Sequence, residues 1–262
     1  MKIIVCIKQV PSSSEVEIDP ENGTLKRSGS ESKTNPYDLF ALEAALRIRN
    51  QVGGTVTALT MGPDQAEEMM RDAYMMGADD AVILSDKKFA GSDVLATSYT
   101  LAQGIRVLEG ADLIICGKQT TDGDTAQIGP AIAEHLGIPH AAWVSEITEV
   151  TDSQISVRQD LTHVFQISRM EYPCLITVEK DSNVPRLPSY KLRKETEKKE
   201  VRILHFDALP DKNLSRYGLI GSPTTVERIF APEKMGSRQW IEGTAMEQAE
   251  KLTELFVKKK FI

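Results

Sequence analysis

The feature that most constrains this chain is a rhythm in its first half, where short apolar runs alternate with segments patterned like amphipathic helices. Residues 2–10, 55–60, 81–84 and 112–116 are mostly apolar throughout, as strands covered by helices on both faces must be. Helical spacing fills the intervals at 37–50, 64–76, 93–108 and 125–136. The helix starts are marked. Asn35-Pro36 supplies a capping oxygen and then a residue whose φ suits a first turn, Gly62-Pro63 precedes the second helix, and Ser92 is the candidate cap of the third. Gly137 suits the left-handed stop of the fourth. Strand, helix, strand in this order predicts an α/β fold with a doubly wound, mainly parallel sheet.

Two regions break the rhythm. EVEIDPENGTLKR alternates and turns at residues 20–23, which predicts a small hairpin between the first strand and the first helix. After Pro139, residues 144–150, 154–160 and 163–169 alternate like antiparallel strands, and 174–178 is a further apolar strand. Residues 180–202 hold eight Lys/Arg against four Asp/Glu, with two prolines and few large apolar side chains, and read as an exposed basic excursion. The tail contains an amphipathic helix, with Thr244-x-x-Glu247 as a capping box and Ile241, Ala245, Ala249, Leu252 and Phe256 at helical spacing. Its apolar face docks either on its own domain or on another subunit.

Composition excludes several classes. With 31 Lys+Arg against 38 Asp+Glu the net charge is −7, which argues against nucleic-acid binding through a basic surface. No apolar run approaches the ~20 residues that span a bilayer, and MKIIVCIKQVP lacks a small-residue cleavage site. A cytoplasmic protein without a membrane span is expected. Cys6, Cys116 and Cys174 each lie in an apolar run without CxxC spacing and read as reduced core thiols, and the four histidines show no metal-ligand spacing.

In an open parallel sheet, ligands bind beyond the carboxyl ends of the strands. Three loops qualify: residues 8–11, Met61-Gly62-Pro63, and GKQTTDGDTAQIGP after Cys116. In the last, Gly117, Gly123 and Gly129 permit close backbone approach, and Asp122, Asp124, Thr125 and Gln127 crowd polar atoms at a helix start suited to a diphosphate. GxGxxG and Walker spacings are absent, so spacing alone leaves a capped structural loop and a nucleotide loop as equal readings. Asp122 and Asp124 read first as caps of the following helix.

Resemblance goes further than spacing. The ordered set CIKQVP, Asn35-Pro36, Met61-Gly62-Pro63, MGADDAVIL, GKQTTDGDTAQIG and PRLPSYKLRK resembles the beta subunit of electron-transfer flavoproteins over nearly the whole chain. The resemblance implies an adenine-nucleotide-binding α/β fold with an extended C-terminal arm, in a heterodimer with an alpha subunit that carries FAD. NPYDLFALEAAL, DGDTAQIGP, FAGSDVLATSYTL and GSPTTVERIFAP are similar to the electron-bifurcating branch. There the beta subunit holds a second FAD that exchanges hydride with NAD(H), and ferredoxin takes one electron; the ordinary branch holds AMP instead.

Carried over by position, the resemblance implies that Cys6, Ile7 and Lys8 line the nucleotide, and that Asn35, Asp38 and the Met61 backbone hold the adenosine side. Asp122, Gly123, Asp124, Thr125, Ala126, Gln127 and Gly129 would cradle the diphosphate. A solvated strand-end lysine is an equal reading of Lys8. Gly91, Asp93 and Thr97 would belong to the flavin-side loop. Pro185, Arg186, Leu187, Pro188 and Tyr190 would dock on a flavin dehydrogenase with Leu187 as the anchor, against the plainer reading of a solvated linker. No side chain is implied as an acid or base. The chain departs from the family at VRQDLTHVFQISR, where a Gly/Glu-rich signature is common, and this favours a lactate over an acyl-/enoyl-CoA dehydrogenase. The expected division is 1–180 for the nucleotide domain, 181–202 for the partner loop and 203–262 for the arm packing on the partner subunit.

Overall fold

The computed structural model describes residues 1–12, 32–227 and 240–262. The hairpin expected around residues 20–23 and the end of GSPTTVERIFAP lie outside the described residues. In chain order the first half contains β1 (Lys2–Cys6), β2 (Gln9–Pro11), β3 (Ser32–Thr34), α1 (Pro36–Val52), β4 (Thr55–Met61), α2 (Glu67–Met76), β5 (Asp80–Leu84), α3 (Val94–Val107), β6 (Leu113–Gly117) and α4 (Ile128–Leu136). The second half adds β7 (His140–Val150), β8 (Gln154–Asp160), β9 (Phe165–Glu171), β10 (Cys174–Val178), α5 (Tyr190–Thr196), β11 (Arg202–Leu204) and α6 (Ala245–Lys259).

Among the described residues, nine strands form one sheet in the order β11-β5-β4-β1-β6-β10-β7-β8-β9, while β2 and β3 pair separately. Neighbours are parallel from β11 to β7 and antiparallel across β7, β8 and β9. Strand alternation serves two helical layers. Ile3 and Val5 face the core under α1 and α2, and Ile4 and Cys6 face that under α3 and α4. The α/β fold with a mainly parallel sheet and antiparallel additions is therefore observed, and the three cysteines are buried and free. Among the described residues, no helix is long and apolar enough to cross a membrane.

Several local expectations are corrected. The first strand does not run through residue 10. The chain leaves the sheet after Cys6 because the Lys8 N–H is taken by the Asp38 carboxylate (2.8 Å), and β2 then pairs with β3 instead. The third helix is capped by Asp93, whose Oδ1 accepts from the Ala96 N–H (3.1 Å); the Ser92 hydroxyl donates back to the Phe89 carbonyl. The fourth helix starts at Ile128 rather than 125, and ends as expected at a left-handed Gly137.

The basic excursion is tied down rather than free. Ser189 N–H donates to the Met75 carbonyl (2.9 Å), and α5 packs along α2. Residues after 202 do not all form an arm. β11 extends the sheet beside β5, and Phe206, Leu209 and Tyr217 are buried in the core with Phe89 and Tyr99. One compact unit runs through Glu227, and the described residues 240–262 belong to a second. In the latter, α6 carries the expected capping box at Thr244 and Glu247, and none of its residues is buried.

Candidate functional site

The chain visits β1, β4 and β5 in one direction and then crosses to β6 on the other side of β1, so the strand order reverses between β1 and β6. At such a switch point the loops leave the carboxyl ends in opposite directions and open a crevice. The loop after β1, the start of α1 and residues 118–127 after β6 all meet here.

Asn35 does not cap α1 with its side chain. It joins two distant loops: Nδ2 donates to the Gln119 carbonyl (2.9 Å), Oδ1 accepts from the Thr121 N–H (3.2 Å), and its own N–H donates to the Lys8 carbonyl (2.8 Å). One turn on, Asp38 is 4% exposed. Burial pushes its carboxyl up to about 7, against opposing hydrogen bonds from the Asn35 side chain and the Lys8 and Gly117 N–H groups. Gly117 must be glycine for this contact, since a Cβ there would collide with Asp38 Oδ1 and the Tyr37 backbone.

The acids of the 118–127 loop do not cap α4. Both Asp122 oxygens accept from Lys8 Nζ (2.9 and 2.7 Å), Gly123 N–H donates to Asp122 Oδ1 (2.8 Å), and Asp124 Oδ1 accepts from Gln119 Nε2. Lys8 is thus paired with Asp122 while its side chain stays partly exposed. Asp122 is held below the ordinary carboxylate range: burial works to raise it, and the bonds from Lys8 and Thr120 outweigh that. Asp124 and Ala126 adopt positive φ (50° and 54°), which turns successive peptide groups in different directions. The N–H groups of Thr125, Ala126 and Gln127 have no hydrogen-bond partner among the described residues. Gly129 brings α4 against β10, because a Cβ there would collide with the Thr177 methyl. The cradle fits an anionic, diphosphate-like group bound by main-chain donors.

Cys6 and Ile7 are buried, and their side chains belong to the two hydrophobic cores on opposite faces of the sheet. The Cys6 and Cys116 thiols meet across β1 and β6; the hydrogen bond between them and burial push Cys116 well above the ordinary thiol value. Met61 ends β4 beside β1, half-buried.

Gly91, Asp93 and Thr97 lie apart from this group, beyond the carboxyl end of β5. Asp93 is already engaged, since Oδ2 accepts from the Thr224 N–H (3.1 Å) and hydroxyl (2.8 Å), while its N–H donates to Ser222 Oγ (2.8 Å). FAGSDVLATSYTL and GSPTT, far apart in sequence, are therefore joined. Thr97 is half-buried on the first turn of α3.

Residues 185–190 form a third region, held to α1 through Arg186. Arg186 is fastened to Glu43, and Leu187 (86%) and Tyr190 (68%) are exposed. Sequence reasoning missed Glu43, Gln119 and Thr224. Only Glu43 leaves a signal, as an acid among the small and apolar residues of LEAAL.

An open, doubly wound α/β sheet with a main-chain anion cradle at its switch point defines the class: a ligand-binding protein of the nucleotide-binding α/β kind. The family model described as the electron transfer flavoprotein domain matches residues 22–209. The chain is 44% identical over 239 residues to the electron transfer flavoprotein subunit beta of Megasphaera elsdenii, covering 88% of each chain. It is 45% identical over 238 residues to protein FixA of Azorhizobium caulinodans, covering 88% of this chain and 85% of FixA. It is 41% identical over 251 residues to the caffeyl-CoA reductase-Etf complex subunit CarD of Acetobacterium woodii, covering 95% of this chain and 94% of CarD. The chain belongs to the electron transfer flavoprotein family, as a beta subunit.

Proposed function

We propose that this beta subunit serves an electron-bifurcating flavoprotein, with FAD held in the crevice between β1 and β6. The observation that carries the reading is the convergence of Lys8, Asn35 and Asp38 with residues 119–122 at the switch point, in the loop that leads into the unpartnered N–H groups of 125–127. When bound, the flavin supplies hydride exchange with NAD(H) and electron delivery to ferredoxin and the alpha-subunit FAD. The chain's residues bind and orient. The N–H groups of Thr125, Ala126 and Gln127 take diphosphate oxygens, Asn35 and Asp38 hold the flanking loops in register, and the Met61 backbone lines the adenosine side. Thr97 faces the flavin side, with Gly91 and Asp93 shaping that loop through Thr224 and Ser222.

The alpha subunit is the constant partner, and the unit carrying α6 packs on it. Residues 181–202 dock on a flavin dehydrogenase, with Leu187 between Pro185 and Pro188 as an apolar anchor in a basic rim. Likeness to a subunit of a caffeyl-CoA reductase complex favours an enoyl-CoA type, and the VRQDLTHVFQISR segment favours a lactate type.

Flavin and AMP assayed together on the heterodimer test this reading. Two FAD and no AMP, with NADH rapidly bleaching one flavin, is the expected result. One FAD with one AMP overturns it and makes this chain an AMP-binding structural subunit of an ordinary electron-transfer flavoprotein.

A further inference from the structure

The loop that carries Leu187 has an unusual construction. Its large apolar side chains point outward: Val184 is 77% exposed, Leu187 86% and Tyr190 68%. No apolar side chain of that trio is therefore left to fix its shape, and polar bonds do so. Asn183 Nδ2 donates to the Phe40 carbonyl (2.9 Å) and the Ser189 N–H to the Met75 carbonyl (2.9 Å). Between these two ties, Glu43 accepts from Arg186 three times, through N–H (3.1 Å), Nε (2.7 Å) and Nη2 (3.2 Å). It also accepts from Arg47 Nε (2.8 Å), whose Nη2 donates to the Val184 carbonyl (3.3 Å). Residues on both sides of Pro185 are thereby clamped to one carboxylate on α1, itself 4% exposed.

We infer that Glu43 is a positioning residue for partner docking, holding the Leu187 loop in its binding shape before the partner arrives. The inference rests on the docking role proposed above. Ordering a loop residue costs about 1–2 kcal/mol, so a loop whose shape is set in advance binds with less of that cost still to be met. The partner surface that fits is an apolar pocket with an acidic rim, since Lys191, Arg193 and Lys194 follow Leu187 on and beside α5.

The test compares parent, Glu43→Gln, Leu187→Ala and the double variant, each as the heterodimer with its alpha subunit. Purified lactate-type and acyl-CoA-type flavin dehydrogenases serve as docking probes. The expected result is that E43Q and L187A each raise KM for the accepted dehydrogenase about 5–10-fold with kcat little changed. In the L187A background E43Q adds nothing, because the two act through one contact. Amide exchange across 183–190 quickens about tenfold in E43Q while that of α4 does not, as loss of a local clamp requires. Arg186→Lys, which keeps the charge without the fork, gives an intermediate KM. If L187A leaves KM unchanged, the docking role falls and this inference with it. If L187A raises KM and E43Q does not, or their effects multiply, the positioning role of Glu43 alone is overturned. Should E43Q fail to fold, R186K against L187A decides by the same double-variant comparison.

Discussion

Asp38 and Glu43 stand five residues apart on α1 and both have little exposed surface, but the Asp38 carboxyl lies deeper, and the two groups are pushed in opposite directions. Asp38 meets mainly neutral donors, the N–H groups of Lys8 and Gly117 and the Asn35 side chain; burial outweighs them and lifts it to about 7. Around Glu43, burial also acts to raise the value, but hydrogen bonds from Arg186 and Arg47 overcome it and bring the carboxyl below its ordinary value. Depth of burial and the formal charge of the partners act together: the Asp38 carboxyl is enclosed among mainly neutral donors, whereas Glu43 meets two guanidinium groups that remain partly exposed. One end of α1 therefore holds an acid whose carboxyl is raised to about 7. Its next turn carries an ionised one that holds a cationic loop.

The most damaging way to break this contrast is to deny Asp38 its site. Gly117→Val drives side-chain atoms into Asp38 and the Tyr37 backbone, and an expected loss of about 3 kcal/mol, read by denaturant unfolding, reflects that overpacking. Little change would mean the α1 start moves freely and does not confine Asp38.

The next effect sharpens the comparison through pH. The folded value of Asp38 lies above its unfolded value near 3.8, so its stabilising effect is complete below that value and is lost as pH rises through about 7. Glu43 has the reverse sign: its effect is present above its unfolded value near 4.5 and is lost as pH falls through the depressed folded value. Asp38→Asn should therefore gain stability relative to the parent from pH 5 to pH 8. Glu43→Gln should be worse than the parent by about 2 kcal/mol at pH 7 and approach it in acid. Unfolding curves at several pH values decide, and parallel profiles for the two variants would end the contrast.

The smallest effect concerns the Lys8–Asp122 pair, which is partly solvated on both sides. Lys8→Met should cost no more than about 0.5–1 kcal/mol and less at high salt, as exposed pairs do. Its clearer sign should be faster amide exchange at Gly123, whose N–H shares Asp122 with Lys8. A loss as large as that of Glu43→Gln would place Lys8 with the structural clamps.

Much of the fold was legible because its signals are local. Apolar runs with helical periods between them indicated the parallel sheet, and Thr244-x-x-Glu247 marked the start of α6. β11 was not legible: three residues carry no period, and they become a strand only because the edge of β5 offers partners. Asn35 stands at a cap position before Pro36. Its side chain instead bonds Gln119 and Thr121, 84 and 86 residues away, which no local pattern records. The crevice loops were found from the rule for open sheets, but the pairing of Asp122 with Lys8 was not.

By itself the sequence determined most of the succession of strands and helices along the chain, and three loops at strand ends, since strand and helix periods are written over a few residues; the reversal between β1 and β6 belongs to the sheet order. Tertiary structure alone decided what the polar residues on that frame do. The donor on Asp38 comes from 30 residues away and the guanidinium on Glu43 from 143. A buried charge is governed by what lies within a few ångströms in space, whatever its distance along the chain.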